Sequence, residues 1–331
     1  MTQDGGMTTS AGIHGRNDPD LTVGDVGEFG LIGRVAPQEH SDRVLVGPGD
    51  DCAYVTVASG RMLISTDVLV EGRHFRRDWA EAYDVGRRAA AANLADVMAM
   101  GGVATALTVG FAAPADLPAR WAEDLTRGIV DEAALVGAEV VGGDVTAADG
   151  VVVSITVVGE TDREPVLRSG ARVGDVVAIT GRLGWAGAGL HVLGRGFRSP
   201  RVLVEAYRRP EPPYEEGPRG AREGATAMID VSDGLLADLA HIAEESSVGI
   251  DLDADAFVVP EPIADVAAAT NADPRTFLLT GGDDHTLAAT FPADRGAPEG
   301  WSVVGRVVEG EGDVTVDGVA WDGPAGHEHY R

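Results

Sequence analysis

The sequence predicts a two-domain mixed α/β protein, and three observations carry that expectation. The chain has 331 residues, enough for two cores. Between Gly27 and about Glu160, short β-branched runs alternate with two amphipathic stretches of helical period. After the turn-rich connector 161–175, a second alternating pattern begins at Val176.

Residues 1–26 are rich in Gly, Thr and Asp without periodicity and read as a disordered leader. The first domain is expected over 27–160. Its strands are placed at Ala53–Val57, Arg61–Ser65, Thr105–Phe111 and Val151–Val158. A helix over Asp84–Met100 is stopped by Gly101-Gly102, and a second over Pro118–Val136 carries Trp121, Leu125 and Ile129 on one stripe. The second domain, 161–331, opens with a strand at Val176–Thr180 and a Gly-rich helix start at 181–190. Its stretch 208–220 is too rich in Pro and Gly for a regular element. A strand at Ala227–Asp230, a helix at Asp233–Glu245, and strands near Leu287–Phe291 and Trp301–Val308 complete it. No internal repeat of 20–50 residues is present.

Composition removes whole classes of function. Net charge is −27, and all 26 basic residues are arginine. Without lysine there is no P-loop lysine, no protein-kinase strand lysine and no Schiff base. The acidity argues against nucleic acid, whose phosphates must be neutralised by clustered cations. The single cysteine, Cys52, cannot form an internal disulfide and reads as a small buried apolar residue; with no secretory leader, a reducing cytoplasm is expected. No apolar run reaches the ~20 residues of a membrane span.

Five short acidic motifs border apolar runs: Gly49-Asp50-Asp51, Ser65-Thr66-Asp67, Gly142-Gly143-Asp144, Asp230-Val231-Ser232-Asp233 and Gly281-Gly282-Asp283-Asp284. Any one Gly-Asp pair is a turn signal. Five at strand ends point to a ligand site, where glycine admits close backbone approach. Asp96 joins them from the first helix, three residues after Asn93 and so on the same face. Carboxylates crowded at one site repel unless protonated or bridged, and hard oxygen donors select Mg²⁺, Mn²⁺ or Ca²⁺. Such bridging, helped by arginines such as Arg168, is how an acidic lysine-free pocket holds ATP. Two other patterns are decoys. The run 251–262 imitates a calcium loop but has Ala256 and Pro262 where Gly and Glu are needed, and the tail His327–Tyr330 reads as solvated.

At these residues the sequence resembles the thiamine-monophosphate kinases, members of an ATP-binding superfamily that includes aminoimidazole ribonucleotide synthetase. The resemblance runs from Gly27-Glu28-Phe29-Gly30 through the five motifs, the 93–102 segment and 168–175 almost to the C-terminus. It implies a first domain whose strands form a barrel with a second copy in a homodimer, and a second domain covering the active cleft. It also implies an Mg²⁺-dependent transfer from ATP to thiamine monophosphate. The implied ligands of Mg²⁺ are Asp51, Ser65, Thr66, Asp67, Asp96, Asp144, Asp230 and Asp233. Gly143, Asp144, Arg168 and Ser232 would contact ATP; His74, Asp283 and His327 would contact the thiamine substrate. Asp51, Asp67, Asp96 and Asp144 are implied as catalytic. The chain departs from the family pattern at Asp283-Asp284-His285-Thr286, where Glu-Asp-Tyr-Glu is usual, and at His327, where an aromatic residue is usual. Another ATP-dependent synthetase of the superfamily, or a non-catalytic acidic cation-binding protein, are the alternatives.

Overall fold

The structure, a computed structural model, describes residues 21–37, 39–46 and 54–327. The first group of elements is α1 (Val23–Val35), β1 (Val44–Val46), β2 (Tyr54–Val55), β3 (Leu63–Val70), α2 (Ala82–Ala99), β4 (Val103–Ala113), α3 (Ala119–Ala134), β5 (Glu139–Ala147) and β6 (Val152–Glu160). The second is β7 (Val176–Thr180), α4 (Trp185–Gly194), α5 (Arg201–Arg208), α6 (Glu216–Glu223), β8 (Ala227–Val231), α7 (Leu235–Ser246), β9 (Gly249–Leu252), α8 (Glu261–Thr270), α9 (Pro274–Thr280), β10 (Thr286–Phe291), β11 (Ser302–Val308), β12 (Val314–Val316) and β13 (Val319–Ala320). The mixed α/β class is as the alternation predicts.

β1 and β2 form a small antiparallel pair. The next four strands make an open sheet in the order β3-β6-β4-β5, parallel only between β4 and β5. Its strictly alternating strand β6 buries Val153, Ile155 and Val157 toward α2 and α3. The opposite face is uncovered, with Ile64, Val68 and Val103 exposed. The second sheet has seven strands in the order β13-β12-β9-β11-β7-β10-β8. Its strands β8 and β10 are buried along their whole length, because helices α4, α7 and α9 cover one side and α2 reaches the other.

Helix α2 is therefore the hinge of the architecture. A reciprocal Glu81/Asp84 capping box starts it, and Gly101, at φ 76°, ends it. Val85, Ala89 and Leu94 pack on the first sheet, while Ala95, Met98 and Ala99 pack against the second. The run of small residues lets a single helix lie between two sheets. On α3 the stripe falls as its spacing predicts: Leu125 and Ile129 are buried, and Trp121 stacks on Phe111.

Several expectations need correction. Order begins before Gly27: the Val23 N–H donates to the Leu117 carbonyl, and Asp25 caps Thr22. Residues 208–220 hold the start of α6, whose Gly217 and Gly220 are contact points against Met98 and Trp301 rather than breakers. Ser65-Thr66-Asp67 and Gly142-Gly143-Asp144 lie inside strands, not at their ends. The apolar run Phe277–Leu279 before the last motif belongs to helix α9. The expected strand from Ala53 starts outside the described residues, as do Asp50, Asp51 and Cys52.

Candidate functional site

The cleft between α2 and the second sheet contains two cavities, of about 450 and 860 Å³, and both are lined by Asp96 and Asp230. The smaller adds Ser65, Met100 and Arg168; the larger adds Asp67, His74, Ser232, Asp233, Asp283 and His327. Most of the sequence-selected residues thus converge on one cleft with an acidic junction.

The junction is built from three elements. On β3, Ser65 and Asp67 pair with the buried Val157 and Ile155, so their side chains face the helices. On α2, Asn93 accepts a hydrogen bond from the Asp67 N–H (3.1 Å), and Asp96 accepts one from the Ser65 hydroxyl (2.5 Å). The three-residue spacing on the helix is matched to the two-residue spacing on the strand. From the second sheet, Asp230 enters at the end of β8, buried, with His285 Nδ1 3.0 Å from its Oδ2. Burial first, then the negative charges of Asp230 and Asp67, pushes the Asp96 carboxyl up to about 7. Burial, the largest single influence, works to lower His285, but the hydrogen bond to Asp230 and the negative charges of Asp230 and Asp283 together outweigh it, and its pKa is raised.

The loop after β8 is fixed by Asp238, a residue the sequence reading did not select. Its Oδ2 accepts the N–H groups of Ser232, Asp233 and Gly234 at 3.0–3.1 Å. An acid in the first turn of the helix that follows the motif was the available signal. Gly234 has φ 130°, and a Cβ there would meet the Thr280 carbonyl at 2.8 Å, so only glycine fits. Burial, with Asp230 adding to it, pushes the Asp238 carboxyl up to about 7.

The paired acids Asp283 and Asp284 part company. Asp284 is buried and accepts the N–H groups of Gly184 and Ala186, capping α4; burial pushes its carboxyl up to about 7. Asp283, at φ 65°, faces the larger cavity and is ion-paired with Arg88 (2.7 Å). His74 Nδ1 accepts the Val70 N–H (2.9 Å), which leaves Nε2 to carry the ring proton. His327 stands on the exposed rim, its N–H donating to the Asp233 carbonyl. Arg168 opens the short 3₁₀ turn whose carbonyl binds Ser246.

Three selected residues lie elsewhere. Thr66 pairs with Thr156 on the uncovered face of the first sheet, their hydroxyls 2.8 Å apart. Asp144 pairs with Gly110, opposite Ser154, and so is on that same face. It is on edge strand β5, three strand spacings or ~14 Å from β3. Gly143 is required by packing, since a Cβ would lie 2.1 Å from the Val109 carbonyl. The calcium-loop decoy stays rejected: Asp251 Oδ1 is taken by Thr315 and Gly318, and Asp253 Oδ1 by the Asp255 N–H.

The donor set suits Mg²⁺. It consists of hard carboxylate and hydroxyl oxygens, and, after burial, the charges of Asp230 and Asp67 help to hold the Asp96 carboxyl up, a crowding that a cation would relieve. Among the described residues no three His, Cys, Asp or Glu side chains form a finished cage. Among the described residues no helix is long and apolar enough to cross a membrane.

The two-layer architecture and acidic cleft define the AIR-synthase-related class. Its N-terminal domain family matches residues 49–161 and its C-terminal domain family residues 172–317. Within that class, the chain belongs to the thiamine-monophosphate kinase family. It is 46% identical over 312 residues to the thiamine-monophosphate kinase of Mycobacterium tuberculosis, covering 93% of each chain. It is 33% identical to that of Aquifex aeolicus, covering 94% of this chain and 100% of the relative. Among solved structures, AaThiL complexed with AMPPCP and TMP superposes with a TM-score of 0.77 at 34% identity, covering 92% of this chain and 98% of that one. Hydrogenase maturation protein HypE, at 19% identity and a TM-score of 0.66 over 86% of this chain and 88% of its own, shares the fold.

Proposed function

We propose that the chain phosphorylates thiamine monophosphate with ATP, giving thiamine diphosphate and ADP, the last step in making that cofactor. The observation that carries this reading is the pair of cavities meeting at Asp96 and Asp230, where two phosphorylated ligands would meet at one acidic junction. The 34% identical AaThiL, complexed with AMPPCP and TMP, supports it.

In this reading the smaller cavity takes the nucleotide, with Arg168 and the Ser232 segment at its phosphates, and the larger takes the acceptor, with His74, Asp283 and His327 around its rings. Ser65, Asp67, Asp96, Asp230 and Asp233 hold Mg²⁺, with Asp51 as a further ligand. Held by these residues, Mg²⁺ would supply charge neutralisation for the phosphates and polarisation of the transferred group. The acceptor oxygen is already anionic, so no strong general base is demanded of the chain. Its residues position the two phosphates in line and exclude water, and no phosphoenzyme forms.

The chain divides into a first domain that opens with α1 at Val23 and runs to about residue 160 and a second over 161–331, and works as a cytoplasmic homodimer. The uncovered sheet face supports pairing, for it exposes Ile64, Val68 and Val103 beside Thr66 and Asp144. Facing a second copy, Thr66, Gly143 and Asp144 regain a ligand role that a single chain does not give them. Light scattering of Ile64→Glu should then give half the mass of the parent; an unchanged mass removes the sheet face from the interface.

The deciding experiment is mass spectrometry of products from ATP, Mg²⁺ and thiamine monophosphate. Thiamine diphosphate and ADP in equal amounts support the proposal. ADP and free phosphate with thiamine monophosphate untouched contradict it.

A further inference from the structure

Arg88, Ala92 and Asp96 recur every four positions on α2, and all three line the larger cavity. Eight residues of helix set the two backbone positions about 12 Å apart along its axis, and Ala92 keeps the floor between them low. The Arg88 end is built unlike the acidic end. Its guanidinium lies 4.4 Å from the centre of the Tyr207 ring, donates through Nη1 to the Tyr207 carbonyl (3.0 Å), and reaches Asp283 Oδ2 through Nη2 (2.7 Å). Arg88 is 6% exposed. Asp283 is fixed from behind by its N–H to the Ser232 carbonyl (2.8 Å), yet its side chain keeps 38% of its surface open.

A pair that served only to fasten α2 to the second sheet would be sealed on both sides. This pair is sealed on the arginine side and opens on the cavity at the carboxylate. One oxygen of Asp283 is committed to Arg88, and Oδ1 is the atom a cationic ring would meet. The planar, stacked fork of an arginine sets the direction of a carboxylate in a way that a point charge does not.

We propose that Arg88 is a positioning residue for the acceptor: by holding Asp283 from inside, it aims the carboxylate that receives the acceptor's positively charged ring. This rests on the reading of the larger cavity as the thiamine monophosphate site. Arg88 touches neither the ring nor the transferred phosphate. It acts through Asp283, and its loss should be felt in acceptor binding and not in nucleotide binding or in the chemical step.

The test is steady-state kinetics of the full chain with ATP and thiamine monophosphate. Arg88→Met should raise KM for thiamine monophosphate about tenfold, with KM for ATP within about twofold and kcat within about threefold. Because the effect passes through Asp283, Arg88→Met combined with Asp283→Asn should be no worse than Asp283→Asn alone, a coupling that a merely structural role would not give. Arg88→Lys keeps the charge without the fork and should raise the same KM about threefold; it decides the matter if Arg88→Met fails to fold. An unchanged KM for thiamine monophosphate, multiplicative effects in the double variant, or a parallel rise in KM for ATP each overturn the inference alone. Parent protein that shows no thiamine-monophosphate-dependent turnover overturns the functional reading, and this inference with it.

Discussion

The two ends of the larger cavity use aspartate in opposite ways. At the far end each acid has a dedicated partner: Asp283 has the Arg88 guanidinium, and the neighbouring Asp284 has two backbone N–H groups at the start of α4. At the junction three acids share fewer partners: Asp96 receives a serine hydroxyl, Asp230 has His285 Nδ1 at 3.0 Å, and Asp67 and Asp230 add negative charge around Asp96. A folded chain settles the carboxylates it needs for its own shape. Where it crowds them around His285 instead, a cation bound from outside would relieve the repulsion that remains. The contrast separates residues that hold the cleft together from residues proposed to bind metal and nucleotide.

The strongest test of that division is Asp67→Asn, which keeps the shape but removes a charge from the junction. Turnover should fall about 10²- to 10³-fold while the circular dichroism spectrum is unchanged; an undiminished rate takes Asp67 out of the site. Next comes Asp238→Ala. It frees the three N–H groups that shape the Ser232–Gly234 loop, and Mg²⁺-dependent ATP affinity should drop about tenfold or more by calorimetry. Equal affinity would mean that the loop holds its form without Asp238. At the far end the effect is confined to one substrate: His74→Ala should raise KM for thiamine monophosphate about tenfold, whereas weakening of ATP alone would misplace His74.

The smallest effect is on stability. Burial pushes the Asp284 carboxyl up to about 7, above the ~3.9 of an unfolded aspartate. The folded state therefore holds this proton more tightly, and the stability it contributes is complete below about pH 4 and is lost as pH rises through about 7. Asp284→Asn cannot titrate, so its deficit in Tm against the parent should shrink between about pH 5 and pH 8. A deficit independent of pH would show that the cap N–H groups keep Asp284 ionised throughout.

Most of the secondary structure was legible because its causes are local. The 3.6-residue stripe of α3 and the alternation of β6 each state their buried face outright. The site was legible as chemistry: Asp67, Asp230 and Asp283 were identifiable as acids in short motifs bordering apolar runs, and Asp96 as an acid on a patterned helix. What sequence could not show was pairing. Whether Thr66 and Ser65 share a site depends on which face of β3 each takes, and that is fixed by register with β6. Adjacent Asp283 and Asp284 are chemically identical, and only the position of the α4 N-terminus tells cap from cavity. The glycines of α6 misled because helix-breaking propensity is outweighed by close packing on Met98.

The central claim is that crowded carboxylates at the meeting of two cavities hold divalent cations between donor and acceptor. It is tested most directly by crystals grown with AMPPCP, thiamine monophosphate and Mn²⁺, with anomalous scattering used to place the metal. The account predicts anomalous peaks bounded by Asp67, Asp96 and Asp230 and in contact with nucleotide phosphate. Nucleotide bound in the cleft with no metal beside these three aspartates would contradict it.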